Sequence, residues 1–380
     1  MASGEFHPVS VPRPSSALLW SEKSLNLEAL LKESTLPVVV KMNAADDSSK
    51  LKKDAGTLLQ QPLLLFKESK GFKVIAKNVS SLVAVRTSRD GVQYREGGAT
   101  IVIPVQYPGW FRVLEEDTVP ILSVSNLARV MPTSFLSAKR VPGFSLLDPL
   151  NRKDIMYERL EFPPGVFTLH SVFEDHVKYT TTKNTVKRKL LRCLVCVTGE
   201  GLDLLIPFDV TGEFYVVEHR NPNAKTAKAD KNACAYTLKQ LIAMGVFTRP
   251  LVLKLLIGDP PSKPCGFTGV MKVVDIVKDW TVIAQTLDGN RKLLELPVLP
   301  FPEFAQSTNG KDLLEPGSLR AELNHLRSGI ADQYAKEIKV KTSLSLKPTK
   351  PQAGETRLPV LNGASAAQDK PFKQKTKTKK

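Results

Sequence analysis

No apolar run in this chain is long enough to cross a membrane as a helix. Stretches such as residues 63–66 and 251–257 fall far short of the roughly 18 residues a span requires. The opening Met1-Ala-Ser-Gly-Glu-Phe-His-Pro has no basic start followed by an apolar core, so no secretory signal is expected. Cysteine is scarce, four in 380 residues, which excludes a disulfide framework and points to a reducing compartment, the cytoplasm or alternatively the nucleus. The histidines, His7, His170, His176, His219 and His325, are scattered and show no HExxH or other paired spacing. There is no Gly-x-x-x-x-Gly-Lys loop, no GxGxxG turn and no GxSxG elbow. No metal, no cofactor and no enzymatic activity is therefore expected.

What the chain does hold is apolar material cut into short pieces. With 42% hydrophobic and 24% charged residues it is globular over most of its length. Its central stretch, 190–217, opens with an apolar run to Val197 that carries Cys193 and Cys196, then turns at Thr198-Gly-Glu-Gly. A second run ends against Pro207, which cannot donate to a sheet ladder, and Gly212 separates it from a third run, 214–217. Short leucine-rich and β-branched segments punctuated in this way predict antiparallel strands.

The same grammar occurs earlier. Ile101-Val-Ile-Pro-Val-Gln-Tyr-Pro-Gly-Trp-Phe aligns without a gap on Leu204-Leu-Ile-Pro-Phe-Asp-Val-Thr-Gly-Glu-Phe, matching Pro104 to Pro207, Gly109 to Gly212 and Phe111 to Phe214. Further on, Ser123-Val-Ser-Asn-Leu aligns on Thr237-Leu-Lys-Gln-Leu, each a capping residue before a short helical pattern. The chain is read as an internal duplication of roughly a hundred residues.

The spacing of Leu191-Arg-Cys193, then Leu204-Leu-Ile206-Pro207-Phe208, then Gly212-Glu-Phe214 resembles the signature of the CABIT domain, the cysteine-containing all-β module of Themis and its relatives. Cys196, preceded by Leu194, satisfies the cysteine position with a shorter spacer, and Cys193 is preferred. The resemblance covers about residues 25–298 and one such domain. It implies a non-enzymatic intracellular adaptor of receptor and immune signalling. Its domain would bind and tune components of tyrosine-kinase and phosphatase pathways, such as an SH2-containing tyrosine phosphatase or a Src-homology adaptor. Of the PxxP spacings, only Pro348 to Pro351 lies in a basic setting, and no arginine follows it at the usual distance.

Two other readings stand beside this one. Of the net charge of +16, residues 341–380 carry +8, with nine lysines and one arginine against Glu355 and Asp369. Such a tail binds RNA, DNA or acidic membrane non-specifically. The remaining reading is a thiol enzyme using Cys193. Against it, Cys193 shares an apolar strand face with Leu191, Val195 and Val197, where a cysteine is ordinarily core. Nor does Cys193-Leu-Val-Cys196 suit a metal, because residues three apart on a strand face opposite ways. Tyr157 fits a phosphorylation site less well than the start of a strand.

The expected fold is all-β: a duplicated unit of about six strands in two β-barrel-like halves, with a few short helices and disordered tails. The expected boundaries are a disordered leader (1–22), a domain (23–300) with halves at about 23–140 and 141–300, a linker with an amphipathic helix (301–340), and a disordered basic tail (341–380). Separate strands are expected within 58–68, 72–75 and 81–87, and three more within 269–296. A helix bearing Leu319, Leu323, Leu326, Ile330, Tyr334 and Ile338 on one face, weakened at Gly329, is expected to dock on the domain.

Overall fold

The computed structural model describes residues 18–43, 59–87, 91–114, 118–147, 155–180, 185–217, 232–248, 251–299, 303–315 and 317–341, apart from the side chains of 80–96. The readings of 1–17 as a leader and of 342–380 as a basic tail, with its PxxP segment, lie outside the described residues. In chain order the strands begin with Trp20–Leu25 (β1), Val38–Met42 (β2), Leu63–Thr87 (β3), Gly91–Pro104 (β4) and Trp110–Val113 (β5). Ile121–Ser123 (β6), Ser134–Ser137 (β7), Val141–Leu146 (β8), Tyr157–Phe162 (β9) and Gly165–Thr180 (β10) follow. Then come Val186–Thr198 (β11), Asp203–Pro207 (β12), Thr211–Val216 (β13), Val252–Ile257 (β14) and Val270–Thr286 (β15). Leu293–Pro297 (β16), Phe304–Ser307 (β17) and Lys339–Val340 (β18) complete them. The helices are Leu27–Glu33 (α1), Val124–Val130 (α2), Leu238–Ala243 (α3), Gly310–Leu314 (α4), Arg320–His325 (α5) and Ala331–Lys336 (α6). The fold is all-β, and none of its described helices is long and apolar enough to cross a membrane.

The strands form two sheets, and the sheets are nested. The first takes β1–β5 and β14–β18; the second takes β6–β13. Within the first, the order β4-β3-β15-β14-β5 repeats in the second as β12-β11-β10-β7-β13. The hydrogen bonds repeat as well. Val105 N donates to Phe72 O (3.0 Å) and Tyr107 N to Pro104 O (3.0 Å), just as Phe208 N donates to Arg192 O (2.9 Å) and Val210 N to Pro207 O (3.2 Å). Val273 N donates to Leu251 O (2.8 Å) as Leu169 N does to Thr133 O (3.0 Å). Each sheet therefore joins a hairpin and a following strand from one copy to two strands from the other.

The segments leading into the two matched helices make the exchange. Phe111 of β5 bridges Tyr236, just before α3, while Phe214 of β13 pairs with Ile121, just before α2. Both helices start where the capping residues placed them. Ser123 Oγ accepts from Asn126 N (3.2 Å), and Thr237 Oγ1 accepts from Gln240 N (3.3 Å) while Gln240 Oε1 accepts from Thr237 N (2.8 Å).

Several expected boundaries shift. The copies do not meet near residue 140, because β7 and β10 pair with each other as β14 and β15 do, and the β8–β9 hairpin is inserted between them. Alternation along a chain does not say which strands pair, and here the partners lie far apart in sequence. Nor is 301–340 a linker. Phe304–Ser307 pairs with both β1 and β2, and Leu314, Leu319, Leu323, Leu326 and Ala331 are buried against Val39, Leu64 and Ile283. The docked helix breaks at Gly329, whose φ is 98°. Trp20–Leu25 takes residues 20–22 out of the leader. β3 runs unbroken through Gly71, where a Cβ would come within 2.9 Å of the Gln106 side chain, and β15 and β16 stand where three strands were expected.

Phe111 (0% exposed) and Phe214 (1% exposed) each anchor one core at the point of exchange. Phe111→Ala and Phe214→Ala should each cost about 3–5 kcal/mol, read as a lowered urea midpoint. If either variant keeps the parent midpoint, that phenylalanine does not anchor its core.

Candidate functional site

Cys193 lies in β11, opposite Pro207 of β12. Around it five strands close on themselves: β11 pairs with β12, β12 with β8, β8 with β9, β9 with β10, and β10 returns to β11. The β9–β10 contact is parallel, with Tyr157 opposite Tyr179. Alternation along these strands turns one face inward. The side chains packed there are Phe144, Val177, Leu191, Cys193 and Leu205, joined by Tyr157, Phe173, Tyr179 and Val195. The Phe144 and Tyr179 rings pack with centroids 5.1 Å apart. Cys193 is fully buried, and burial, helped by the Asp209 carboxylate, pushes its thiol up to about 12. Cys196 faces the other way, into the cluster of Phe135, Phe167, Leu194 and Ile206, and burial pushes it up to about 12 too. The two thiols are thus on opposite faces of β11, and among the described residues no group of His, Cys, Asp and Glu could hold a metal.

The other residues singled out by sequence surround this strand. Ile206 and Phe214 belong to the core on the Cys196 side, where the Phe214 ring meets Phe135 edge-on at 5.7 Å. Phe208 is half-buried beneath the Arg192 guanidinium, 5.0 Å from its ring centre. A Cβ on Gly212 would lie 3.2 Å from the Phe214 ring. In the first copy, Pro104 ends β4 opposite Lys73, and Phe111 packs against Tyr107. Gly109 is covered by the Tyr107 ring, 2.0 Å from where a Cβ would be. Tyr157 begins β9 and is half-buried in the ring; burial, Asp175 and Cys193 all raise its phenol.

Sequence reasoning missed what the first copy holds at the matching stations. The register that sets Cys193 against Pro207 sets Lys73 against Pro104. Phe144 opposite Leu205 corresponds to Lys339 opposite Val102. Tyr157 opposite Tyr179 corresponds to Glu295 opposite Ile283. These three residues meet: Glu295 takes Lys73 Nζ at 2.5 Å on one oxygen and Lys339 Nζ at 2.6 Å on the other. Thr281 Oγ1 donates to Glu295 (3.0 Å), Asp279 also pairs with Lys73, and the Lys339 ammonium lies 4.0 Å from the Tyr334 ring centre. Burial works to raise the Glu295 carboxyl, but Lys339 and Lys73 outweigh it and hold it low. The one sequence signal was a lysine inside the apolar run Phe72-Lys-Val-Ile-Ala.

The thiol readings lead to two measurements. Cys193→Ser buries a hydroxyl among apolar groups and should cost about 1–3 kcal/mol, while a thiol reagent at pH 8 should label neither Cys193 nor Cys196 until denaturant is added. Both folded values lie above the ordinary 9.0, so this contribution is complete below about pH 9 and fades as pH rises towards 12. The urea midpoint should drop between pH 8 and pH 10, and drop less in Cys193→Ala. An equal drop in both proteins would show that Cys193 does not titrate as its burial requires.

No curated protein and no solved structure matches the chain. The CABIT family model, described as "Cell-cycle sustaining, positive selection", matches residues 36–305, which takes in the five-strand ring around Cys193 and, of the ion network, Lys73 and Glu295 but not Lys339. On that match, the chain belongs to the CABIT family.

Proposed function

We propose that this chain is a non-enzymatic signalling adaptor, of the cytoplasm or nucleus, whose CABIT domain binds and modulates components of tyrosine-kinase and phosphatase pathways in the manner of Themis. The observation that carries the reading is family membership over residues 36–305. The burial of Cys193 supports it, since a thiol at about 12 stays protonated at neutral pH and serves packing rather than nucleophilic attack. An SH2-containing tyrosine phosphatase and a Src-homology adaptor are the partner classes to test. Affinity capture from a lysate with the full chain should retain one of them at both 0.1 M and 0.5 M salt. Retention of neither would overturn the assignment.

A second reading draws on the +8 carried by residues 341–380, which suits a polyanion such as RNA, DNA or acidic membrane. Binding of that kind falls steeply with salt, because each neutralised phosphate releases counterions. Titrating a fluorescent single-stranded oligonucleotide across the same salt range decides it: a steep log-linear loss of affinity supports polyanion binding, and no binding at 0.1 M excludes it.

A further inference from the structure

The seat that completes the ring in the second copy is filled differently in the first, where β18 pairs with β4 and β16 with β15. In the second copy the seat on β12 is filled by β8, which continues directly into the antiparallel partner β9. In the first copy the matching seat on β4 is filled by β18, two residues long and the last strand described. Lys339 lies opposite Val102 and Val340 opposite Ile101, and Lys341 N donates to Thr100 O (2.8 Å). Ile338, just before, is 1% exposed in a cluster with Val74, Ile101 and Met271. This strand thus offers the seat an apolar residue, then a cation, then a β-branched residue.

Its contacts allow it to leave without stranding a charge. Glu295 is held twice, by Lys339 on one oxygen and by Lys73 and Thr281 on the other. Withdrawing Lys339 leaves that carboxylate paired, and Lys73 keeps Asp279 as well. Uncompensated burial, the costly outcome for an ion pair, is avoided. Residues 338–341 would give up one strand's hydrogen bonds and the burial of Ile338, and would bare the β4 edge at 100–102 beside Glu295.

We propose that residues 338–341 are a displaceable edge strand. The β4 edge beneath them is a receptor for an extended segment of a partner protein that carries an apolar residue followed by Lys or Arg. The partner adds a strand where β18 lies, with main-chain hydrogen bonds for affinity and Glu295 selecting the cation. The inference concerns which segment the fold accepts and stands independently of the pathway in which the protein acts.

The test uses the full chain and a fluorescein-labelled peptide with the sequence of residues 335–343. In the parent protein the seat is filled, so the peptide should bind weakly. Lys339→Glu sets a carboxylate against Glu295 and should tighten peptide binding at least tenfold by anisotropy. Amide exchange at 100–102 should accelerate at least tenfold in the variant and slow again on peptide saturation. A peptide with Glu in place of its central Lys, or a scrambled one, should not bind. Faster exchange without peptide binding would show that the edge is not a receptor, and unchanged exchange would show that the strand is not displaceable. Should Lys339→Glu lose protection throughout, Ile338→Ala, which adds no charge, makes the same comparison, and failure of the peptide to bind it more tightly than the parent overturns the proposal.

Discussion

The antiparallel bridge from Phe111 to Tyr236, and its counterpart from Phe214 to Ile121, carry the chain of each copy into the sheet of the other. Everything else in the fold follows from that exchange. The core on the Cys196 side of the β11–β12 hairpin takes Phe214 and Val216 from β13 of its own copy, but Phe135 and Phe167 from β7 and β10 of the preceding one. Neither core is complete until both copies are present, so the pair should fold as one unit. The contacts that complete each core are distant in sequence, and their closure entropy has to be met before burial rewards it.

The exchange also places matching stations of the two copies in like strand orders, although their occupants differ. The two copies share one register, with Cys193 opposite Pro207 and Lys73 opposite Pro104, so the stations are preserved while their occupants diverge. At one set stand Cys193, Phe144 and Tyr157, packed among apolar neighbours. At the other stand Lys73, Lys339 and Glu295, which satisfy one another. A buried ion network is weak support for stability, and the cost of losing one member depends on the partners that remain. Without Lys339, Glu295 keeps Lys73 and Thr281. Lys339 belongs to the last strand described.

Much of this was legible in the residues. The Pro-x-x-x-x-Gly-x-Phe spacing exposed the duplication because each residue type answers a backbone need: Pro207 ends a strand, Gly109 admits the Tyr107 ring, and Phe111 fills a core. The capping residues Ser123 and Thr237 were readable for the same reason, since their role is met within one turn. The buried network escaped notice because Lys73, Glu295 and Lys339 are far apart in sequence and unremarkable singly. Within 301–340 the docking of the helical segment was legible, whereas the strand Phe304–Ser307 was not, because so short a strand gains its place from β1 and β2 rather than from its own pattern.

From its residues alone the chain determined an all-β fold, a duplication and the apolar strand face that Cys193 shares, because these depend on local backbone preference and on alternation within single strands. Only the tertiary structure decided that the copies trade strands, that Cys193 and Cys196 face separate cores, and that a lysine–glutamate–lysine network stands where the other copy keeps its cysteine. Those facts depend on which distant strands share hydrogen bonds, and pairing is settled by burying every apolar face at once, a condition that no single segment of the chain records.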